Sequence, residues 1–226
     1  MLEMEDKTMP IVIPGEIIAS EGYRAGDNTL RIEGSIVATR IGIPRREPER
    51  VSVIPLKGFY MPREKDLVIG IVTEVTYNMW KLDIDSPYPG ILPAADVFGR
   101  RFDPTKDDPL RKFQIGSVIK AEIVAFDRTQ DPLLTIRGQD LGEVESGFLI
   151  RINPSKIARA IGRGGSMLSK IQQAIKSRII VGQNGVVLLL TSDPVVREKA
   201  MMAFKLIEEE AHTYGLTEKV VDLLSG

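Results

Sequence analysis

Apolar and polar positions change period along this chain. Near the start, the runs IVIPGE (11–16), LRIEGSIVATRI (30–41) and VSVIPL (51–56) are rich in β-branched residues and separated by Gly and Pro. That is the punctuation of short strands and turns, and three or four strands are expected here. A second series follows: LVIGIVTEV (67–75), MWKLDI (79–84), YPGILP (88–93), SVIKAEIVAFD (117–127) and LLTIR (133–137). A connector from Ala94 to Gly116 separates its third strand from its fourth. Beyond residue 146 the period alternates between two and 3.6. FLIRI (148–152) reads as a strand, and Asn153-Pro154 opens a helix that runs to about Ile161. Gly162-Arg163-Gly164-Gly165 breaks that helix, with Ser166 the expected N-cap of the next. Met167, Leu168, Ile171, Ala174 and Ile175 form an apolar stripe of helical spacing on that next helix. RIIVG (178–182) and VVLLLT (186–191), joined at Asn184-Gly185, predict a hairpin. Asp193-Pro194 opens a long helix to about His212, and a short helix over 217–224 closes the chain.

The pattern predicts a multidomain protein, β first and then α+β. A small N-terminal β module spans 1–62. A five-stranded Greek-key barrel of the OB type spans 63–142. A β-α-α-β-β-α domain of KH type with C-terminal helices spans 146–226. Sixty residues bury little apolar surface, so the first module should lean on a neighbour or a partner protein.

Composition narrows the chemistry. With no Cys and one His among 226 residues, disulfides, thiolate metal sites, Cys nucleophiles and two-His zinc motifs are excluded. Neither a metal nor a cofactor is expected. His212 reads as a helix-end capping or packing residue, and Glu208, Glu209 and Glu210 as a solvated face. No apolar run reaches the length of a membrane span, and MLEMEDKTMP lacks the apolar stretch of a signal peptide, so a cytoplasmic protein with no membrane partner is expected.

Net charge is −1, so any affinity for a polyanion must be local. One stretch supplies it. No acid occurs between Glu145 and Asp193, while Arg151, Lys156, Arg159, Arg163, Lys170, Lys176 and Arg178 fall inside that gap. The Gly162–Gly165 turn sits in its middle. The spacing fits neither a Walker loop nor a dinucleotide fingerprint, but it fits the Gly-x-x-Gly loop that clamps a nucleic-acid backbone in KH domains. Candidate RNA contacts are therefore Gly162, Arg163, Gly164 and Gly165, with Lys156, Arg159 and Lys170 on the flanking helices. In the barrel, Lys81 and the connector residues Arg100, Arg101, Lys106, Arg111 and Lys112 could guide a phosphate backbone. Against them stand Asp103, Asp107 and Asp108, which would make the connector a mixed-charge solvated loop. Trp80 reads as core.

The barrel strands resemble an S-one-type OB domain, carried by DLVIGIV (66–72), WKLDI (80–84), GILP (90–93) and IGSV (115–118). Such domains stack bases on aromatics of the second strand and on a His after the third. Here those positions are Asn78, Lys81 and Pro93. The module order, with VIPGE (12–16), VIPLKG (53–58), GRGG (162–165), VGQNG (181–185) and EAHTYGLT (210–217), resembles the KH-containing RNA-binding cap subunit of the archaeal exosome. That resemblance implies a non-catalytic role: three cap subunits on a hexameric ring of phosphorolytic ribonuclease subunits, binding RNA and feeding its 3′ end into the pore, with a preference for adenine-rich tails. A free-standing RNA-binding regulator or translation-associated protein is the alternative.

Overall fold

The structure is a computed structural model and describes residues 11–20, 22–99, 102–103, 106–211 and 215–225. It divides after Gly58 into two compact units.

The first unit holds six short strands in two three-stranded sheets: β1 (Ile17–Ala19), β2 (Arg24–Ala25), β3 (Thr29–Ile32), β4 (Ser35–Ala38), β5 (Gly42–Arg46) and β6 (Arg50–Pro55). Their orders are β1-β4-β3 and β2-β6-β5. Two expectations are corrected here. The apolar run 30–41 is not one strand but the hairpin β3–β4, reversed at Glu33-Gly34, both at positive φ. The run 11–16 contributes only a bridge from Val12 to Gly42. The core is small: Val12, Ile18, Ile36, Ala38, Val51 and Val53. Across the outer face of the first sheet, Val37 is register partner to both Ile17 and Leu30, which are 65% and 54% exposed. Ile11, Ile13, Ile32, Ile41 and Ile54 are exposed as well.

The second unit begins with the barrel, built from β7 (Leu67–Val75), β8 (Met79–Asp83), β9 (Gly90–Pro93), β10 (Val118–Ala125) and β11 (Leu133–Thr135). The strands close in the order β7-β8-β9-β11-β10, and β10 returns to β7. Only β9 and β11 pair parallel. This is the expected five-stranded OB-like barrel, with strand boundaries within a few residues of those read from the sequence. A short edge strand, β12 (Gly142–Glu143), extends β10. The connector between β9 and β10 carries two short helices, α1 (Ala94–Phe98) and α2 (Pro109–Lys112). Trp80 fills the barrel, fully buried, its Nε1 donating to the Phe113 carbonyl at 3.0 Å. From α1, Asp96 accepts from Thr135 Oγ1 and from the Ile136 N–H, both at 2.9 Å, and so fastens the connector to the closing strand.

The rest of the unit follows the expected β-α-α-β-β-α order: β13 (Phe148–Arg151), α3 (Ile157–Ile161), α4 (Ser166–Ile175), β14 (Arg178–Val181), β15 (Val186–Leu190) and α5 (Pro194–Glu209), closed by α6 (Leu216–Ser225). The sheet order is β13-β15-β14, all antiparallel. The Asn153-Pro154 start holds, although its first turn is a 3-10 turn over Pro154–Lys156, with Asn153 Oδ1 accepting from the Ser155 N–H. Asp193 likewise caps α5 through the Val195 N–H.

Period-two alternation explains how these layers meet. On β7, Val68 and Val72 point into the barrel while Ile69 points out. On β15, Val187 and Leu189 face the helices while Val186 and Leu188 meet Ile69. Both strands are buried on both faces, which is why each reads as a continuous apolar run. Asn184 lies in this junction with no exposed surface. Its Nδ2 donates to the carbonyls of Ile69 (2.8 Å) and Ile84 (3.0 Å), and its Oδ1 accepts from the Ile69 N–H (3.3 Å). Gly182 permits that approach: a Cβ there would lie 2.4 Å from Asn184 Oδ1.

Asn184→Ala strands three buried backbone groups and should cost about 3 kcal/mol or more. Urea unfolding followed by Trp80 fluorescence (barrel) and by far-ultraviolet circular dichroism (helices) should give coincident transitions for the native chain and separated ones for this variant.

Candidate nucleic-acid interface

The turn between α3 and α4 is built by backbone conformation. Gly162 ends α3 at φ 75°, ψ 173°, its N–H donating to the Ala158 carbonyl at 3.0 Å. That region of backbone space belongs almost solely to glycine. A Cβ at Gly162 would lie 2.8 Å from Met167 N and Met167 Cβ. The glycine is thus required by the chain's own packing, with the buried Met167 seated against it. Gly164 and Gly165 are also at positive φ, yet a Cβ on either would meet nothing within 4 Å. Backbone open to an incoming ligand is therefore found at Gly164 and Gly165.

Ser166 is not the N-cap of α4. It is already helical, and Gly165 takes the cap position in the left-handed conformation with no side-chain cap bond. The first-turn N–H groups of the ten-residue α4 are left without a capping side chain, next to an exposed Arg163. Uncapped N–H groups and the positive end of a helix dipole attract anions, and the guanidinium adds a full charge.

The surrounding cations are less uniform in space than in sequence. Arg178 pairs with Asp140 at 3.0 Å and Arg151 with Asp83 at 3.8 Å, so acids of the barrel and its edge answer two of the seven. Lys156 is half-buried. Burial lowers its pKa from the ordinary lysine value, and the nearby Glu208 carboxylate partly opposes that shift. Glu208 is not merely solvated, because its Oε1 accepts from the Asn153 N–H at 3.0 Å and ties α5 to the start of α3. Arg159 is exposed on α3. Arg163, Lys170 and Lys176 are exposed and form no ion pair among the described residues. Lys170 shares a shallow open depression with Glu218 and Asp222.

On the barrel, Lys81 lies on β8, 2.7 Å from Glu74 on β7, so its charge is largely answered. Lys106 and Arg111 pair with Asp103 and Asp108 at 3.4 Å each, as in a mixed-charge loop. Lys112 lies over the Phe113 ring. Arg100, Arg101 and His212 lie outside the described residues. The described residues contain no group of three or more His, Cys, Asp or Glu able to hold a metal ion, and no helix long and apolar enough to cross a membrane. Sequence reasoning missed Asn184 beyond its turn signal, and it missed Tyr77, exposed at the β7–β8 reversal.

An OB-like barrel packed against an α+β layer, with a small β unit earlier in the chain, defines a modular β and α+β protein. No family model matches the chain. Relatives do match over nearly its full length. A protein of Nitrosopumilus maritimus named exosome complex component Rrp4 is 42% identical, the match covering 94% of each chain. The Rrp4 of Thermofilum pendens is 38% identical over 95% of this chain and 92% of its own. A crystal structure described as an exosome complex RNA-binding protein superposes with a TM-score of 0.70 at 39% identity, covering 74% of this chain and 95% of that one. The chain belongs to the Rrp4 family of exosome complex components. It is an accessory component by that membership and not an enzyme.

Gly162→Ala should lose about 2–4 kcal/mol, combining backbone strain with the Met167 clash. Gly165→Ala meets no atom and should lose only about 1 kcal/mol from its left-handed backbone. Chemical denaturation of the two variants checks the ranking.

Proposed function

We propose that this protein is an RNA-binding subunit of a cytoplasmic exosome, one that caps a hexameric ring of phosphorolytic ribonuclease subunits together with other copies of itself. It receives single-stranded RNA and passes the 3′ end towards the central pore, with adenine-rich tails preferred. The chemistry takes place in the ring. The observation that carries this reading is the open turn at Arg163, Gly164 and Gly165 on the uncapped start of α4. A phosphate there meets the positive end of a helix dipole and an exposed guanidinium at once, which suits a KH-type contact. The described relatives' names, and that of the solved structure, support both the complex and the RNA. The domains of this reading are those expected from the sequence: a docking module over 1–62, the barrel over 63–142 and a KH domain over 146–226.

Docking is assigned to the first unit. Ile17 and Leu30, both exposed, are register partners of Val37 from either side on one sheet. Exposed aliphatic surface of this kind marks a protein contact.

Two experiments test the two halves. Arg163→Asp should weaken binding of a labelled single-stranded RNA and flatten its salt dependence by about one phosphate contact, a change in log–log slope near 0.7. Stability should change by no more than about 0.5 kcal/mol, since the side chain is exposed. An unchanged affinity and slope would move the RNA contact off this turn. Leu30→Glu should abolish co-purification with the ring subunits and leave RNA binding intact. Undiminished ring association by Leu30→Glu and by a chain lacking residues 1–60 would refute the docking assignment.

A further inference from the structure

The barrel's aromatic rings differ sharply in what they touch. Trp80 is buried against Phe98 and Phe113, with ring centroids 6.1 and 5.2 Å away. Phe98 stacks on Phe102 at 5.6 Å. Tyr88 meets Phe126 edge-on at 4.9 Å. Tyr60 is buried, its hydroxyl donating to Asp66 Oδ2 at 2.6 Å. Tyr77 does none of this. It is 72% exposed and, among the described residues, has no ring contact, hydrogen bond or ion pair for its side chain.

Its backbone, by contrast, is tightly held. The β7–β8 reversal is clamped on either side of Tyr77. The Thr76 N–H donates to the Met79 carbonyl at 2.9 Å, Thr76 Oγ1 donates to the same carbonyl at 3.0 Å, and the Met79 N–H donates back to Thr76 Oγ1 at 3.2 Å. The Asn78 carbonyl accepts from the Ala94 N–H at 2.8 Å, which ties the tip to the start of α1. A largely exposed ring thus stands on a hydrogen-bonded backbone support. This loop joins the first and second strands of an OB-like barrel, one of the two loops with which such barrels hold oligonucleotides. The expected stacking positions cannot serve: Asn78, Lys81 and Pro93 carry no aromatic ring, and Lys81 is paired with Glu74.

We propose that Tyr77 is a stacking platform for an unpaired base of single-stranded RNA, a second contact separate from the phosphate-binding turn. The inference rests on the reading of the chain as an RNA-binding subunit. Ordering the ring costs little because the backbone beneath it is already fixed. Stacking on an aromatic face tolerates any base, so the contact reads the presence of a base and not its identity.

The test uses the full chain and two labelled RNAs of equal length, an oligoadenylate and the same backbone with abasic positions, with binding followed by fluorescence anisotropy. Tyr77→Ala should weaken oligoadenylate binding roughly 5- to 100-fold and leave abasic binding unchanged, whereas Tyr77→Trp at the same site should keep native affinity. Trp80 is the sole native tryptophan, so its buried emission in Tyr77→Ala reports an intact barrel. Equal affinities of Tyr77→Ala and the native chain for oligoadenylate, beside a loss in Arg163→Asp, would overturn this proposal and leave the RNA reading standing. Equal loss by Tyr77→Ala on both RNAs would overturn stacking as the mechanism. Failure of the native chain to bind either RNA would overturn both.

Discussion

One side-chain amide holds the larger unit together. Asn184 completes the hydrogen bonding of Ile69 and Ile84 across the seam between barrel and C-terminal sheet, where solvent cannot substitute. A buried amide in that position is either fully satisfied or strongly destabilising. The apolar contacts of Ile69 with Val186 and Leu188 favour contact in general, since hydrophobic attraction has no direction. The amide supplies direction, because its donors and acceptor match only one register of the hairpin against β7. Gly182 belongs to the same device, since a side chain there would displace the amide. The outer ion pairs Arg151–Asp83 and Arg178–Asp140 are exposed and add little to stability.

This seam changes the meaning of the basic stretch. Along the sequence, seven cations stand without an acid. In space, Asp83 and Asp140 approach two of them, and Glu208 from α5 faces a third. Arg163 at the glycine turn and Lys176 at the far end of α4 are exposed without an ion pair among the described residues, while Lys170 shares its depression with Glu218 and Asp222. The electropositive surface is smaller than a linear count suggests.

Strand period and turn residues sufficed to read the barrel, because each strand alternates and each break carries Gly, Pro or Asn. The hairpin within 30–41 escaped for a local reason: Glu33 takes positive φ, a conformation its residue type does not advertise. Ser166 was misread because a good capping residue followed a glycine that could occupy the cap itself. The Gly-x-x-Gly turn was readable as a motif, but its division of labour was not. That Gly162 serves packing while Gly164 and Gly165 stay open depends on Met167 lying underneath. Asn184 looked like an ordinary turn residue because its partners lie about a hundred residues away. Exposure of Tyr77 is equally invisible in sequence, where Tyr77 and Trp80 are simply two aromatics three positions apart.

Among its described residues, the first unit buries a handful of aliphatics and leaves seven large ones exposed. A unit built this way gains stability from whatever covers it, by mass action: each tenfold rise in free partner above the dissociation constant adds about 1.4 kcal/mol to the folded state. Stoichiometry then becomes a determinant of lifetime. On the proposed docking, copies made in excess of their partner would present this apolar surface to proteases and to one another, while matched copies would not. On the same proposed docking, the exposed sheet face would act as a gauge of supply, tying the abundance of this chain to that of its partner.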